Sequence, residues 1–140
     1  MRVRSILLAT VFVAFGPTAA AAAQSSFRAV SPDAVQFLVD SATGDIHAHH
    51  PPAGRIQFRH ARIGTLPQPD GTTFYLICAE YAGVTQGRKP TWVPFVTIKM
   101  ETYEQWLGEE ATKNWCQRRR PTWDPRTDIT AALQAKYDSL

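Results

Sequence analysis

The chain has 140 residues, 15 of them Lys or Arg and 12 Asp or Glu, so its formal net charge is +3. The first 23 residues hold two of the basic residues and no acidic one, so the other 140 − 23 = 117 residues carry only 13 − 12 = +1. That length suffices for one compact domain and not for two. The near-neutral charge argues against a general nucleic-acid-binding protein, which needs many phosphate contacts.

The amino terminus has the pattern of a secretory signal peptide. Two arginines precede an apolar stretch over residues 6–15, and three alanines at 21–23 form a small-residue cleavage site. Glycine and proline interrupt the apolar stretch well short of the roughly 20 residues that a transmembrane helix needs. An uncleaved anchor is the alternative. We predict a signal peptide over residues 1–23 and one exported domain over residues 24–140, periplasmic or secreted, with no membrane span after signal removal.

The first predicted helix starts at Ser31. A hydroxyl N-cap, Pro32 at the first helical position and Asp33 in the first turn are typical of a helix start. The apolar residues that follow cover one face. We expect this helix to end at Gly44 and a solvated linker to follow it.

All four histidines of the chain lie between residues 47 and 60. If the segment after the helix is extended, Asp45, His47 and His49 share one face, and two imidazoles can bind one zinc or copper ion. His50 or His60 could complete the set of ligands. The alternative is a linker whose imidazoles are partly protonated near their ordinary pKa of about 6.5. No other cofactor is indicated.

Three segments have the pattern of β-strands, at residues 55–63, 72–81 and 91–98. The apolar parity of the first segment switches after residue 59, which predicts a bulge or a short helical turn. Pro94 in the third segment has no backbone N–H, so we expect that strand at a sheet edge or bulged. The prediction is a three-stranded antiparallel sheet with residues 72–81 as its central strand.

Both faces of the central strand are largely apolar, which predicts that each is covered. One face holds Phe74, Leu76, Cys78 and Glu80, and the other holds Tyr75, Ile77, Ala79 and Tyr81. Cys78 and Cys116 are the only cysteines, and an oxidising compartment favours a disulfide between them. Free thiols and intermolecular pairing are the alternatives.

A second helix is predicted from Thr102, where Gln105 completes a capping box. Apolar residues then recur at intervals of four, at Tyr103, Leu107, Ala111 and Trp115. This helix would carry Cys116 toward the sheet. A last helix is expected to begin at Thr127 or Asp128. The predicted fold is therefore α+β, a sheet packed by N- and C-terminal helices.

Three motifs resemble those of a loose group of small exported bacterial domains. They are Pro52 to Arg59, Cys78-Ala79-Glu80, and Trp92 to Phe95. The group has a Pro-x-Ser-x-x-Phe-Arg run, a strand bearing Cys-Gly-Glu, an aromatic strand and a second cysteine. This chain has Gly54 where serine is usual and Ala79 where glycine is usual, and it lacks the asparagine that follows the glutamate. No activity is assigned to the group, so the resemblance, over roughly residues 50 to 116, implies export and architecture only.

Three consecutive arginines between two tryptophans are the main candidate for binding. Guanidinium groups beside indole rings can meet a phosphate, a sulfate or an acidic surface. The alternative is a solvated basic helix end, where cations are favoured in any case. The candidate binding residues are Trp115, Arg118, Arg119, Arg120 and Trp123, with Arg88 and Lys89 in a loop.

The patterns of hydrolases, metalloproteases, thiol oxidoreductases and phosphate loops are missing from the sequence. Glu80 could act as an acid or base, or it could pair with Arg59 or Arg62. Glu109 and Glu110 are adjacent but point roughly 100° apart on a helix. The leading prediction is a non-catalytic envelope protein that binds an anionic glycan or a protein. A weak zinc- or copper-binding protein and a small secreted hydrolase are the alternatives.

Overall fold

A computed structural model describes residues 29–125 and 129–140. The elements in chain order are α1 (Pro32–His49), β1 (Arg55–Pro67), β2 (Thr73–Val84), β3 (Val93–Lys99), β4 (Tyr103–Leu107), α2 (Glu109–Lys113), a π-helical turn (Asn114–Arg118), β5 (Thr122–Trp123) and α3 (Ile129–Tyr137). The predicted signal peptide lies outside the described residues. Within them, no helix is both long and apolar enough to cross a bilayer.

The strands form one antiparallel sheet in the order β4-β3-β2-β1-β5. The α+β class and the central position of β2 are confirmed. The predicted number of three strands is wrong, because β4 and β5 extend the sheet at its two edges. β5 is too short to stand out in a sequence, since its two residues pair only with Gly64 and Thr65 of β1.

The helix predicted from Thr102 is a strand over its first half. Residues 103–107 pair with β3, and the helical segment begins only after Gly108, whose φ of 97° breaks the strand. An interval of four is even, so a stripe at that spacing also lies on one face of a strand. Pairing with the open edge of β3 satisfies a ladder of backbone hydrogen bonds, and this favours the strand over the helix for residues 103–107.

Pro94 does not mark an edge strand, because β3 lies inside the sheet. The Pro94 carbonyl accepts a hydrogen bond from the Gly108 amide at 2.8 Å, on the side of β4. The last β3–β4 pair is Phe95 with Leu107. A backbone N–H at position 94 would point to the same side as this carbonyl, just beyond the end of the β3–β4 ladder. Its absence in proline therefore removes no strand pairing.

Both faces of the sheet are covered, as predicted. We call one the helix face, where α1 and α3 cover a core that includes Ile77, Ala79 and Tyr81 of β2. We call the other the disulfide face, where α2 and the π-helical turn cover a smaller core. That core consists of Leu66, Leu76, Cys78, Val96, Ile98 and Cys116.

The predicted disulfide is confirmed. Cys78 in β2 and Cys116 in the π-helical turn are bonded, with a sequence separation of 38 and Cα atoms 6.2 Å apart. Both residues are buried. The bond therefore attaches the segment that follows β4 to the central strand.

α1 does not end at Gly44 but runs on to His49, so the expected extended linker is wrong for residues 45–49. Ile46 is fully buried in the helix-face core, and that burial stabilises the last turn. The His50 amide closes the helix on the Ile46 carbonyl at 3.0 Å.

In the last helix, α3, Ile129 and Leu133 are fully buried and face the same core. The expected start at Thr127 or Asp128 lies outside the described residues.

Candidate functional site

An open cleft of about 420 Å³ lies on the disulfide face. Its floor is formed by β2 and the disulfide, one wall by β1, and the opposite wall by α2 and the π-helical turn. Among its polar and aromatic lining residues are His60, Arg62, Glu80, Trp92, Lys113 and Gln117. Its volume falls within the range of about 300–1,000 Å³ that is usual for ligand sites.

Glu80 on the cleft floor is held by two neighbours. Arg59 lies directly opposite it in the β1–β2 ladder and donates from Nε to Glu80 Oε2 at 2.6 Å. His60 Nδ1 lies 2.9 Å from the same oxygen. The hydrogen bond from Arg59 is the main reason that the pKa of Glu80 lies below its ordinary value. Of the two arginines considered in the sequence as partners of Glu80, Arg59 is the one that bonds it.

The predicted bulge in β1 is confirmed and arranges this wall of the cleft. The ladder shifts register between Arg59 and Arg62, and His60 has a φ of 54° in the left-handed region. Residues three apart on a regular strand point to opposite faces. Because of the bulge, Arg59 lies opposite Glu80, Arg62 lies opposite Cys78, and both side chains share the disulfide face.

All four tryptophans of the chain lie on the disulfide face, a distribution that the sequence did not reveal. Trp92 lines the cleft. Trp106 in β4 is opposite the buried Val96, and its side chain remains half exposed. Trp115 and Trp123 pack against the disulfide-face core.

Three of these rings each hold an arginine. The guanidinium carbon lies 4.0 Å from the ring centroid for Arg59 on Trp92, 4.2 Å for Arg62 on Trp123, and 3.9 Å for Arg119 on Trp115. Such cation–π contacts stabilise by about 0.5–1 kcal/mol at exposed positions. They fix guanidinium groups that would otherwise move freely in solvent.

Gly64 makes the Trp123 contact possible. A Cβ atom at Gly64 would lie 2.6 Å from the Thr122 carbonyl oxygen and 2.9 Å from Trp123 Cε3. Only glycine therefore lets β5 and its tryptophan lie so close to β1. The position of Arg62 thus depends on a residue two places along its own strand.

The predicted arginine segment is divided by the structure. Arg118 pairs with Glu110 at 3.6 Å, Arg119 stacks on Trp115, and Arg120 is exposed with a φ of 53°. The three consecutive arginines therefore do not form one surface with one role.

The other predicted binding residues are also separated. Arg88 and Lys89 are exposed in the β2–β3 loop and do not line the cleft. Trp123 joins the site instead through Arg62, which the sequence suggested only as a possible partner of Glu80. The parity switch in β1 was the available signal for Arg62.

Two of the stacked arginines lack an acidic partner. Arg59 bonds Glu80, and Lys113 in the opposite wall pairs with Glu109 at 3.0 Å. Within residues 29–125 and 129–140, neither Arg62 nor Arg119 forms an ion pair. The disulfide face therefore presents two fixed cations that form no ion pair with a carboxylate of the described residues.

The histidine segment is arranged differently from the extended strand considered above. In α1 each residue turns by about 100°, so Asp45, His47 and His49 do not share one face. The His47 ring contacts Tyr137, with centroids 5.5 Å apart, and the His49 and His50 centroids are 6.4 Å apart.

Among the residues that the structure describes, no three His, Cys, Asp or Glu side chains are grouped to hold a metal ion. His60 lies in the cleft wall and is bonded to Glu80. Zinc or copper binding at His47, His49 and His50 stays a prediction.

The carboxylates of the cleft have little of what acid–base catalysis requires. A general base acts best when its pKa is near the working pH, and the pKa of Glu80 is shifted the other way. Glu109 is exposed and paired with Lys113. The Thr112 hydroxyl in the same wall donates to the Gly108 carbonyl at 2.8 Å.

Comparisons of this chain with protein-family models, with curated proteins and with solved structures gave no match. The geometry of the disulfide face is therefore the main guide to function.

Proposed function

We propose that this protein is an exported, non-catalytic envelope protein that binds an acidic partner, a glycan or a protein, on its disulfide face. The supporting observation is the pair of arginines, Arg62 and Arg119, that are held over tryptophan rings and form no ion pair within the described chain. The signal-peptide pattern of residues 1–23 supports the export part of this proposal.

The third stack shows how such an arginine can act. Arg59 lies over Trp92 and at the same time donates to the Glu80 carboxylate at 2.6 Å. Arg62 and Arg119 repeat the guanidinium–indole contact, but no carboxylate of the described chain is bound to them. If a partner placed an acidic group beside Arg62 or Arg119, that arginine would be stacked on indole and bonded to an anion, as Arg59 already is.

Fixing the arginines beforehand favours binding. A free arginine side chain carries about 2 kcal/mol of rotamer entropy, part of which is lost when it grips an anion. A guanidinium already held over indole loses less on binding. Charge-assisted bonds from arginine to carboxylate or sulfate are also short and frequently bidentate. The surface is therefore prepared for anions without any rearrangement of the fold.

The test compares an Arg62→Ala, Arg119→Ala variant with a control variant, Lys99→Ala, Lys136→Ala. Both variants lose two positive charges, but the control removes its charges elsewhere: Lys99 lies over the ring of Phe37 in α1, and Lys136 is in α3. The probes are tetragalacturonate and tetraglutamate, one an acidic glycan and the other an acidic peptide, and affinity is measured by calorimetry in 0.05 M salt.

We expect the arginine variant to bind at least one acidic probe about tenfold more weakly, a change of about 1.4 kcal/mol, and the control to stay within about twofold. Wild-type binding should weaken clearly at about 0.15 M salt, where the Debye length is about 8 Å. Equal affinities for the two variants, or no binding of either probe to the wild type, would contradict the proposal.

A further inference from the structure

We infer that the acidic partner is a glycan containing carboxylated sugars, and that one such sugar occupies the cleft between Arg62 and Glu80. This rests on the proposed function, since it assumes that the disulfide face binds an anion. It goes further by choosing one chemical class and one of the two available arginines.

The cleft holds one unmatched acceptor and one unmatched cation. Arg59 and His60 both contact Oε2 of Glu80, and within the described chain no donor reaches Oε1. Arg62 lines the same cleft without an ion pair. A ligand that displaces water from the cleft is therefore favoured when it brings both an anionic group for Arg62 and a hydrogen-bond donor for Glu80.

The donor is expected to be neutral. The charge of Glu80 already faces the guanidinium of Arg59, and the exposed imidazole of His60 adds a second positive charge when it is protonated. An ammonium group at Oε1 would meet these cations at short range, whereas a hydroxyl would not. Carboxylate and hydroxyl together on one small ring describe a sugar acid rather than an amino acid.

The shape of the cleft agrees with such a ligand. It is open, so a glycan chain can continue beyond it, and its lining includes the ring of Trp92, over one face of which Arg59 lies. Lys113 and Gln117 on the opposite wall offer further donors to ring and hydroxyl oxygens. A lining of mixed polar and apolar groups with one indole suits a sugar, which has apolar C–H groups on its faces and hydroxyls around its edge.

An acidic peptide fits this cleft less well. Its side chains bring only acceptors, and they would lie near Glu80 and Glu109, which both line the cleft. Like charges at such distances repel, so the peptide would have to direct its backbone N–H groups at Glu80 instead. A peptide is therefore the outcome that the experiment must separate from a glycan.

The experiment titrates tetragalacturonate, its neutral methyl ester and tetraglutamate into wild type, Arg62→Ala, Arg62→Lys, Arg119→Ala and the Lys99→Ala, Lys136→Ala control. We expect the free acid to bind wild type about tenfold more tightly than the ester or the peptide. Arg62→Ala should lose about tenfold for the free acid, Arg119→Ala should lose less than Arg62→Ala, and the Lys99→Ala, Lys136→Ala control should stay within about twofold. Arg62→Lys keeps the charge without the bidentate geometry, so its affinity should lie between those of wild type and Arg62→Ala.

The other outcomes distinguish a failure of the glycan assignment from a failure of the proposed function. Tighter binding of tetraglutamate than of tetragalacturonate would refute the glycan assignment and leave an acidic partner in place. Loss with Arg119→Ala but not with Arg62→Ala would refute the cleft as the site. No binding of either acid would refute the proposed function as well.

Nuclear magnetic resonance of the wild type gives a readout that does not depend on how the variants fold. Tetragalacturonate should shift the indole N–H of Trp92 and the side-chain amide of Gln117, which line the cleft, and not the indole N–H of Trp106, which does not. Shifts confined to Trp106 would overturn the assignment.

Discussion

Removing the disulfide should cost this fold a large part of its stability. The change is Cys78→Ala with Cys116→Ala, which opens a covalent loop defined by a sequence separation of 38. In the chain-entropy model, a loop of that length restrains the unfolded chain by about 13 cal/mol/K, or about 4 kcal/mol at 25 °C. Whole domains are stable by only about 5–15 kcal/mol.

The wild type and the double variant are unfolded with urea and, separately, by heating, and circular dichroism monitors the loss of structure. We expect the free energy of unfolding to fall by about 4 kcal/mol and the melting temperature by roughly 12–20 °C. Wild type in a reducing agent should give nearly the same values, which separates the effect of the bond from that of the changed side chains. A loss below about 1 kcal/mol in both experiments would refute the reasoning from loop closure.

Two more predictions follow from single contacts. Gly83→Ala should destabilise by more than about 2 kcal/mol in urea unfolding, because its Cβ would overlap the carbonyl oxygen of Ala53. The matched change Gly44→Ala, inside α1 with nothing within 4 Å, should instead stabilise by up to about 1 kcal/mol, and equal effects would contradict the clash. Because Arg59 lowers the pKa of Glu80 from 4.5, the ionised pair should contribute stability above about pH 4.5 and lose it as the pH falls further. In Glu80→Gln, the urea midpoint should change less between about pH 5 and 3 than it does in wild type. An equal change in both proteins would exclude this ion pair as the source of the pH dependence.

Local rules were sufficient for much of the sheet. The alternation of β2 predicted which side chains face each core, and the parity switch in β1 predicted its bulge. The two cysteines predicted their own bond. The first two features are set by strand geometry, and the disulfide by the lack of any other cysteine. Strand geometry and the number of cysteines can be read without knowing the rest of the fold.

The features that sequence reasoning missed depend on distant parts of the chain. Residues 103–107 become a strand because the edge of β3 is open, and α1 continues past Gly44 because Ile46 finds a buried position. The site was missed for the same reason. Arg62 becomes a candidate only once β5 brings Trp123 beside it, and Gly64 leaves the space for that approach.

The disulfide also governs what happens if the chain is cut. The exposed tip of the β2–β3 loop, at Arg88 and Lys89, offers basic residues to a trypsin-like protease. Cys78 precedes that loop and Cys116 follows it, so a cut there leaves two fragments that remain covalently joined. Arg62 would lie on one fragment and Trp92 on the other, still held on one sheet by its ladders. A nick at this loop would add a new pair of chain ends to the protein without releasing either half of its cleft.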